Sequence, residues 1–259
     1  MSKVIAIANQ KGGVAKTSTT YNLGVGLSRA GKKVLLIDAD PQGDLTSYAG
    51  IDRVDELEMT LGTIMNHIIN GYALPDDIII KCAEGVDLVP SNIDLATIET
   101  LLLSLMIGRE KVLKRFVDEI KDNYDYVLID CMPSLGSIPI NAMACADSII
   151  IPSQAHFFSF KGMAELVKTI NIVRENCNPN LKVDGILLTL FDKRTKLAKA
   201  IEEVMGINYG GSFKVFSSVI PLSTKVAESS AKGKSVFSYD PKGNATQMYQ
   251  NFVMEVLGV

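Results

Sequence analysis

A short glycine-rich segment near the start of the chain, KGGVAKT at residues 11–17, contains the residue types that bind a phosphate chain. Adjacent glycines let the backbone approach a phosphate closely, and Lys16 supplies a fixed positive charge for the β- and γ-phosphates. The Thr17 hydroxyl is a ligand type suited to Mg²⁺. The segment departs from the common loop G-x-x-x-x-G-K-[ST], because Gln10 and Ala15 occupy its two glycine positions.

Three carboxylates follow two other apolar segments. Asp38 is the last residue of the apolar run at residues 33–38, and Asp40 comes two residues later. Asp130 is the last residue of a second run at residues 126–130. An acid at the end of a buried strand can hold a hydrated Mg²⁺, and a neighbouring acid can orient water beside a γ-phosphate. A simpler alternative is that Asp38 or Asp40 caps the helix that follows.

Short apolar runs alternate with longer segments of helical period, and these elements must position the polar residues. Runs that are apolar throughout are typical of strands buried on both faces. The predicted strands cover residues 4–8, 33–38, 86–89, 126–130, 148–152, 183–190 and 215–220. The predicted helices cover residues 18–29, 95–105, 109–122, 161–176, 196–205 and 245–257. The alternation predicts an α/β fold, doubly wound, with a mainly parallel sheet, helices on both faces and ligands at the carboxyl ends of the strands.

The glycine-rich segment lies between the first predicted strand and the first predicted helix. Backbone N–H groups and a helix N-terminus converge on a phosphate at such a junction, so the pattern predicts a P-loop NTPase. Residues 43–60 have no clear periodicity. Because no repeat or long linker divides the chain, we expect a single P-loop ATPase domain over residues 1–259.

Composition supports an ordinary globular protein. A chain of 259 residues that is 47% hydrophobic can bury a substantial core without disulfides or a structural metal. The four cysteines are far apart and form no C-x-x-C pair, so reduced thiols and a cytosolic location are expected. The first residues are too short an apolar run for a signal peptide or a membrane span.

The loop pattern K-G-G-x-x-K-[ST] resembles the deviant Walker A loop of the class that includes ParA, MinD and the nitrogenase iron protein. The resemblance implies that Lys11 reaches the nucleotide of a second subunit in an ATP-bound sandwich homodimer, and that Lys11 and Lys16 are catalytic. The residue before Lys16 is usually glycine in this pattern but need not be, so we expect Ala15 to be tolerated. The implied nucleotide-binding residues are Lys11, Gly12, Gly13, Val14, Ala15, Lys16, Thr17, Ser18 and Pro221.

The resemblance to ParA proteins continues beyond the loop. Residues 38–43, DADPQG, look like the D-x-D-P-Q-G segment of that family. This match implies that Asp40 is the catalytic acid nearest the attacking water and that Asp38 lies closer to the metal. Asp130 matches the Walker B acid, so the implied Mg²⁺ site consists of Thr17, Asp38 and Asp130.

Two further segments distinguish among branches of the class. Residues 131–136, CMPSLG, resemble the ParA switch with Met132 in place of a proline, and residues 239–243, YDPKG, resemble another ParA segment. A MinD-type protein would end in a basic amphipathic helix on anionic lipid, but residues 244–259 contain no Lys or Arg. The cysteine spacing does not match the cluster ligands of the iron protein.

Positive charge concentrates in the C-terminal quarter. Residues 182–242 contain ten Lys or Arg and six Asp or Glu, although the whole chain has a formal charge of −3. By resemblance, Arg194 and Lys225 match ParA residues that bind DNA phosphates without reading sequence, whereas Leu222 replaces a family arginine. The alternative is that these cations are solvated surface residues.

The resemblance implies that the protein is a slow ATPase that a partner stimulates and that uses ATP and Mg²⁺. It also implies the short ParA form, which has no N-terminal helix-turn-helix. Its ATP-bound homodimer would bind nonspecific double-stranded DNA and be released on hydrolysis stimulated by a ParB-like centromere-binding partner. Such a DNA partition protein would be cytoplasmic and nucleoid-associated, with no membrane contact. Two alternatives stay open: a MinD-type membrane-surface positioning ATPase, and an ATP-dependent regulator without DNA binding.

Overall fold

The computed structural model of the protein describes residues 2–75, 77–154, 159–192 and 213–259. Within them the strands are β1 (Lys3–Ile7), β2 (Val34–Ala39), β3 (Ile80–Lys81), β4 (Asp87–Val89), β5 (Tyr126–Cys131), β6 (Ser148–Gln154), β7 (Lys182–Phe191) and β8 (Val215–Pro221). The α-helices are α1 (Lys16–Arg29), α2 (Asp44–Tyr48), α3 (Leu61–Asn70), α4 (Leu95–Ser104), α5 (Val112–Ile120), α6 (Ser137–Cys145), α7 (Ser159–Asn176), α8 (Thr224–Ser230), α9 (Val236–Tyr239) and α10 (Asn244–Leu257).

The eight strands form one sheet in the order β3-β4-β2-β5-β1-β6-β7-β8. Every neighbouring pair is parallel except β3 with β4 at the edge. β1 therefore lies near the middle of the sheet, between β5 and β6. This arrangement confirms the predicted mainly parallel sheet.

Helices cover both faces of the sheet. One core cluster contains Phe116 of α5 and Ile170 of α7, and the other contains Tyr21 of α1 together with Phe252 of α10. The central strands contribute side chains to both clusters, as their apolar runs predict. The predicted doubly wound architecture is confirmed.

The seven predicted strands are all present, with ends that differ by one or two residues. The helix predicted at residues 109–122 is observed as α5 flanked by two 3-10 turns, Arg109–Lys111 and Lys121–Asn123. The helix predicted at residues 196–205 lies outside the described residues. Among the described residues, no helix is both long and apolar enough to span a bilayer.

Candidate active site

The glycine-rich loop joins β1 to α1 at the carboxyl edge of the sheet, and the neighbouring strands deliver two acids to the same edge. In the strand register Ile7 of β1 is paired with Asp130 of β5, and Asp130 is paired with Asp38 of β2. Three adjacent parallel strands therefore end together beside the loop. This is where ligands of such sheets bind.

The loop backbone is bent by two residues in the left-handed region. Gly13 has φ +69°, and Ala15 has φ +63° and ψ +34°. α1 begins at Lys16, and no side chain caps its N-terminus. The backbone N–H groups of its first turn therefore remain available for an anionic ligand, which the positive end of the helix dipole also favours.

The conformation of Ala15 qualifies the expectation that alanine is well tolerated there. A β-carbon in the left-handed region crowds the following carbonyl oxygen and costs roughly 1–2 kcal/mol, whereas glycine does not have this penalty. The position therefore favours glycine for a backbone reason. The loop of this protein keeps the left-handed turn in spite of the strain.

The start of the loop is tied to β6. The Asn9 side-chain amide donates to the carbonyl of Pro152 at 2.8 Å, and Asn9 Oδ1 accepts the Lys11 backbone N–H at 3.0 Å. Asn9 is 7% exposed. This buried amide fixes the direction in which the chain leaves β1.

The bend of the loop is held by two side chains from the ends of β6 and β7. Gln154 Nε2 donates to the Gly13 carbonyl at 2.8 Å, and the hydroxyl of the fully buried Thr189 donates to the Val14 carbonyl at 2.9 Å. Both contacts orient carbonyls away from the loop interior. Since a carbonyl bonded elsewhere does not repel a phosphate, these contacts prepare the loop for an anion.

Lys16 is held inside the loop. Its side chain is 7% exposed, and its Nζ donates to the Lys11 carbonyl at 3.2 Å. Burial lowers the pKa of Lys16, while the charges of Asp130, Cys131 and Asp40 act in the opposite direction. A positive charge with few protein partners in a buried loop favours an anionic ligand.

Lys11 points elsewhere. Its Nζ lies 3.5 Å from Gln154 Oε1, at the outer limit of a hydrogen bond, and the side chain is half-buried at the loop surface. The two ammonium groups therefore have different partners within this chain, the Lys11 carbonyl for Lys16 and the Gln154 side chain for Lys11.

Asp130 is almost completely buried and is oriented by hydroxyl groups. The Thr20 hydroxyl donates to its Oδ1 at 3.1 Å, and the side chain of Thr17 is a second hydrogen-bond partner. Burial, reinforced by the nearby charge of Asp38, raises the pKa of Asp130 to about 8. The carboxylate is thus poorly stabilised by the protein alone.

Asp38 is fully buried and contacts the first turn of α2. It accepts the Thr46 backbone N–H at 2.9 Å and the Thr46 hydroxyl at 2.7 Å, and burial raises its pKa to about 7. The capping alternative is therefore correct for Asp38, but it does not account for its position opposite Asp130. Asp38, Asp130 and the Thr17 hydroxyl beside Asp130 together fit a hydrated Mg²⁺, which prefers oxygen ligands and retains several waters.

Asp40 is half-buried at the mouth of the site. Its Oδ1 accepts the Gln42 N–H at 3.0 Å, and its carbonyl accepts the Gly43 N–H at 3.1 Å, so the residue stabilises the turn before α2. Unlike Asp38, it retains access to solvent. A water molecule can therefore reach its carboxylate.

Comparison with known proteins identifies the family. Residues 2–183 match the family model described as an AAA domain. The sporulation initiation inhibitor protein Soj of Bacillus subtilis is 40% identical over 257 residues, which cover 99% of this chain and 98% of Soj. The chromosome partitioning protein ParA of Caulobacter vibrioides is 38% identical over 258 residues, covering 98% of this chain and 94% of the relative. The chain belongs to the ParA-type partition ATPases.

A solved structure of a protein with a different name shares the fold of this chain. Cobyrinic acid a,c-diamide synthase from Mycobacterium smegmatis, with a bound ATP analogue and magnesium, is 33% identical and superposes with a TM-score of 0.84 over 99% of this chain and 95% of that one. As a ParA-type member of the P-loop superfamily, this protein is an ATPase, and its cofactors are ATP and Mg²⁺. The residues described above fit both.

The switch segment of this ParA-type ATPase lies between the phosphate loop and α4. A β-carbon added to Gly12 would be 3.9 Å from Pro133 Cβ, and one added to Gly136 would be only 2.2 Å from Glu99 Oε1. Met132, which replaces the family proline, is half-buried, and its N–H donates to Ala39 at 3.3 Å. The segment is therefore braced by contacts on both sides even without that proline.

Ser18 and Pro221 are the other two residues predicted from the sequence to bind the nucleotide. The Ser18 carbonyl accepts the Asn22 side-chain amide at 2.8 Å inside α1. Pro221 ends β8, which is three strands from β1 in the sheet order. At about 4.8 Å between strands, Pro221 is roughly 14 Å from β1, although β7, which pairs with β8, contacts the loop through Thr189.

Of the two sequence-predicted DNA-binding residues, Arg194 lies outside the described residues. Lys225 is the second residue of α8, and its Nζ is 2.8 Å from Glu228 Oε2 and 5.8 Å from the centre of the Tyr239 ring. The hydrogen bond to Glu228 and its charge raise the pKa of Lys225. Lys225 is thus already paired within the ParA-type chain, although the pair is solvent-exposed and therefore weak.

Sequence reasoning missed a buried polar connection between three helices. Asn22 of α1 donates to the Tyr48 hydroxyl of α2 at 3.0 Å, and that hydroxyl is 2.9 Å from Ser229 Oγ of α8. All three side chains are buried. The connection joins the helix that follows the phosphate loop, the helix that follows Asp38 and the helix that bears Lys225. No local sequence pattern marks it, because its members are distant along the chain.

Proposed function

We propose that this protein is an ATP-dependent DNA-partitioning ATPase that acts as a single domain over residues 1–259. The observation that carries the proposal is that Asp38 and Asp130, at the ends of adjacent parallel strands, lie beside the phosphate loop whose Lys16 begins α1 and is close to Asp130. Relatives named for chromosome partitioning cover almost the whole chain. Within this fold and family, ATP binding drives a cycle of assembly and release.

Each residue of the phosphate site has a distinct role. The loop from Gly12 to Ser18 and the Lys16 ammonium bind the β- and γ-phosphates, and Lys16 stabilises the charge that develops during phosphoryl transfer. Thr17, Asp38 and Asp130 would hold a hydrated Mg²⁺, which would supply positive charge to stabilise the phosphates. Asp40 orients the attacking water from the solvent-accessible mouth of the site.

Lys11 acts on a second copy of the chain. The Lys11 carbonyl accepts a hydrogen bond from the Lys16 ammonium, whereas the Lys11 ammonium lies beside Gln154 at the loop surface. A cation in this position can neutralise the triphosphate of a facing subunit. ATP therefore closes two copies into a sandwich homodimer in which each Lys11 completes the partner's site.

The closed dimer binds double-stranded DNA without sequence preference through its basic C-terminal quarter. Arg194 and Lys225 contact backbone phosphates, which contribute an affinity that falls as salt rises. Because Lys225 is paired with Glu228, binding DNA exchanges one partner for another. A ParB-like centromere-binding partner stimulates the slow hydrolysis, after which the dimer opens and leaves the DNA.

The membrane alternative receives less support. α10 buries Tyr249, Phe252 and Val253 in the core, and Phe252 packs edge-on against Phe216 at a centroid distance of 5.0 Å. Its apolar side is therefore already used within the fold. This favours a nucleoid-associated, cytoplasmic protein over one positioned by lipid.

The test is DNA affinity measured by fluorescence anisotropy with a labelled duplex of arbitrary sequence. Binding should require ATP, be absent with ADP, and be lost in Lys16→Ala, while a second unrelated duplex should bind equally. ATP binding and dimer formation without DNA binding at any salt would instead support the regulator alternative. Cosedimentation with anionic vesicles, in place of DNA binding, would support the membrane-positioning alternative.

A further inference from the structure

A second concave site lies on the edge of the sheet opposite the phosphate loop. The cavity has a volume of about 330 Å³ and is formed where β2 and β4 begin and just before β5. Its polar lining consists of Lys32, Lys33, Lys81, Asp87, Asn123 and Tyr124. None of these residues has a part in the ATPase site.

The cavity carries an excess of positive charge. Its one carboxylate, Asp87, already accepts hydrogen bonds from the Lys81 ammonium and from the Tyr124 hydroxyl, the latter at 2.8 Å. Within the described residues, neither Lys32 nor Lys33 forms an ion pair. Three ammonium groups face Asp87, and the Asp125 carboxylate accepts the Lys33 N–H in the wall, so the cavity keeps a net positive charge that an anion would neutralise.

The walls of the cavity are fixed by the backbone. The turn at Gly85, which has φ +79°, is anchored to α1 because the Ser28 hydroxyl donates to the Gly85 carbonyl at 2.7 Å. On the other side, the Lys33 N–H donates to Asp125 Oδ2 at 2.8 Å, and the Asp125 N–H returns a bond to the Lys33 carbonyl. The three lysine side chains are exposed to solvent, whereas these backbone hydrogen bonds fix the turn at Gly85 and the chain at Lys33.

We propose that this cavity binds a small phosphorylated anion of the polyphosphate or nucleotide class. Lysine ammonium groups are suited to phosphate oxygens as point charges, and the volume is at the lower end of small-molecule sites, which span roughly 300–1,000 Å³. A concave site of this size accommodates a compact anion better than the convex backbone of duplex DNA. The Tyr124 ring, half-buried in the wall, offers an apolar surface to a planar or ribose portion.

The probe for this site is inorganic tripolyphosphate, titrated by calorimetry into the full-length Lys16→Ala variant so that the phosphate loop does not contribute. We expect one binding site per chain. The double variant Lys32→Gln/Lys33→Gln should bind about tenfold more weakly, because it removes the two unpaired charges. The matched control is Lys168→Gln/Lys182→Gln, which removes two exposed lysines elsewhere and should bind like the parent.

Three results would overturn the proposal. The first is no binding of tripolyphosphate to the Lys16→Ala protein with its thermal unfolding intact. The second is an equal loss of affinity in the Lys168/Lys182 control, since that would indicate diffuse charge attraction. The third is that the Lys32→Gln/Lys33→Gln variant binds duplex DNA more weakly while no tripolyphosphate site is found. That result would assign the surface to DNA. The first of these leaves the ATPase proposal untouched, because the phosphate loop is already disabled.

Discussion

Replacing Ala15 with glycine tests whether the phosphate loop has the strained backbone described above. Ala15 has φ +63°, where a β-carbon costs roughly 1–2 kcal/mol in the folded state. Glycine removes that cost but adds roughly 0.4–1 kcal/mol of unfolded-state entropy that folding must overcome. The net expectation is a stabilisation of about 0.5–1 kcal/mol.

Thermal unfolding measures this difference directly. In a chain of this size, a change of 1 kcal/mol shifts the midpoint by about 2–4 °C, so Ala15→Gly should raise it by roughly 1–4 °C. The matched control is Ala30→Gly at the end of α1, where φ is −83° and no strain is relieved. That exchange should lower the midpoint or leave it unchanged.

The opposite ordering of the two variants would refute the reasoning. If Ala15→Gly destabilised the protein as much as Ala30→Gly does, Ala15 would not occupy the left-handed region, and the loop would not have the bend inferred for phosphate binding. ATP affinity should be similar in the parent and Ala15→Gly proteins, because the bend is already formed with alanine present.

Three other perturbations follow from the site. Thr189→Val should weaken ATP binding severalfold and destabilise the protein by about 1–3 kcal/mol, because it leaves the buried Val14 carbonyl without its partner, whereas Thr189→Ser should keep that hydrogen bond. Unchanged nucleotide affinity in the Val variant would contradict a supporting role for Thr189. Burial raises the pKa of Asp38 to about 7 and that of Asp130 to about 8, so the nucleotide-free folded protein keeps protons that the unfolded chain releases at about pH 4; its stability should fall as pH rises from about 4 to 8 and level off above about 8. Asp38→Asn should flatten that decline in the melting temperature, and a midpoint that climbs with pH over this range would be inconsistent. Glu228→Gln should release Lys225 and tighten nonspecific DNA binding at low salt, whereas unchanged anisotropy curves would exclude Lys225 from the DNA surface.

The central fold was predictable because its strands are buried on both faces. Continuous apolar runs mark β1, β2, β5 and β6, and parallel connection brings their carboxyl ends together. For the same reason the sequence alone places Asp38 and Asp130 beside the loop. Edge strand β3 could not be predicted, since two residues show no periodicity.

Five of the described α-helices were not predicted: α2, α3, α6 and the two short helices α8 and α9. The first three were missed for different reasons. α6 is apolar almost throughout and nearly all buried, so it lacks the polar face that reveals a helical period. α2 has only five residues. α3, in contrast, carried a usable signal: Thr60 and Thr63 form a capping box, and Gly71 ends the helix in the left-handed region.

The side chains that support the loop were beyond sequence reasoning. Thr189 and Gln154 lie at the ends of strands remote in sequence from residues 11–17, and only the strand order brings them to Val14 and Gly13. The left-handed conformation of Ala15 was likewise hidden, because an alanine in the sequence does not indicate positive φ. Tertiary geometry, rather than local preference, decides these features.

The role of Lys11 across a dimer is tested most directly by molar mass. Wild-type protein and Lys11→Ala should be compared by size-exclusion chromatography with light scattering, in a nonhydrolysable ATP analogue with Mg²⁺ and in ADP. A separate calorimetric titration should show that both proteins bind the analogue. The wild type should have twice the monomer mass only with the analogue, and Lys11→Ala should remain monomeric. A fully dimeric Lys11→Ala protein under those conditions would contradict the account.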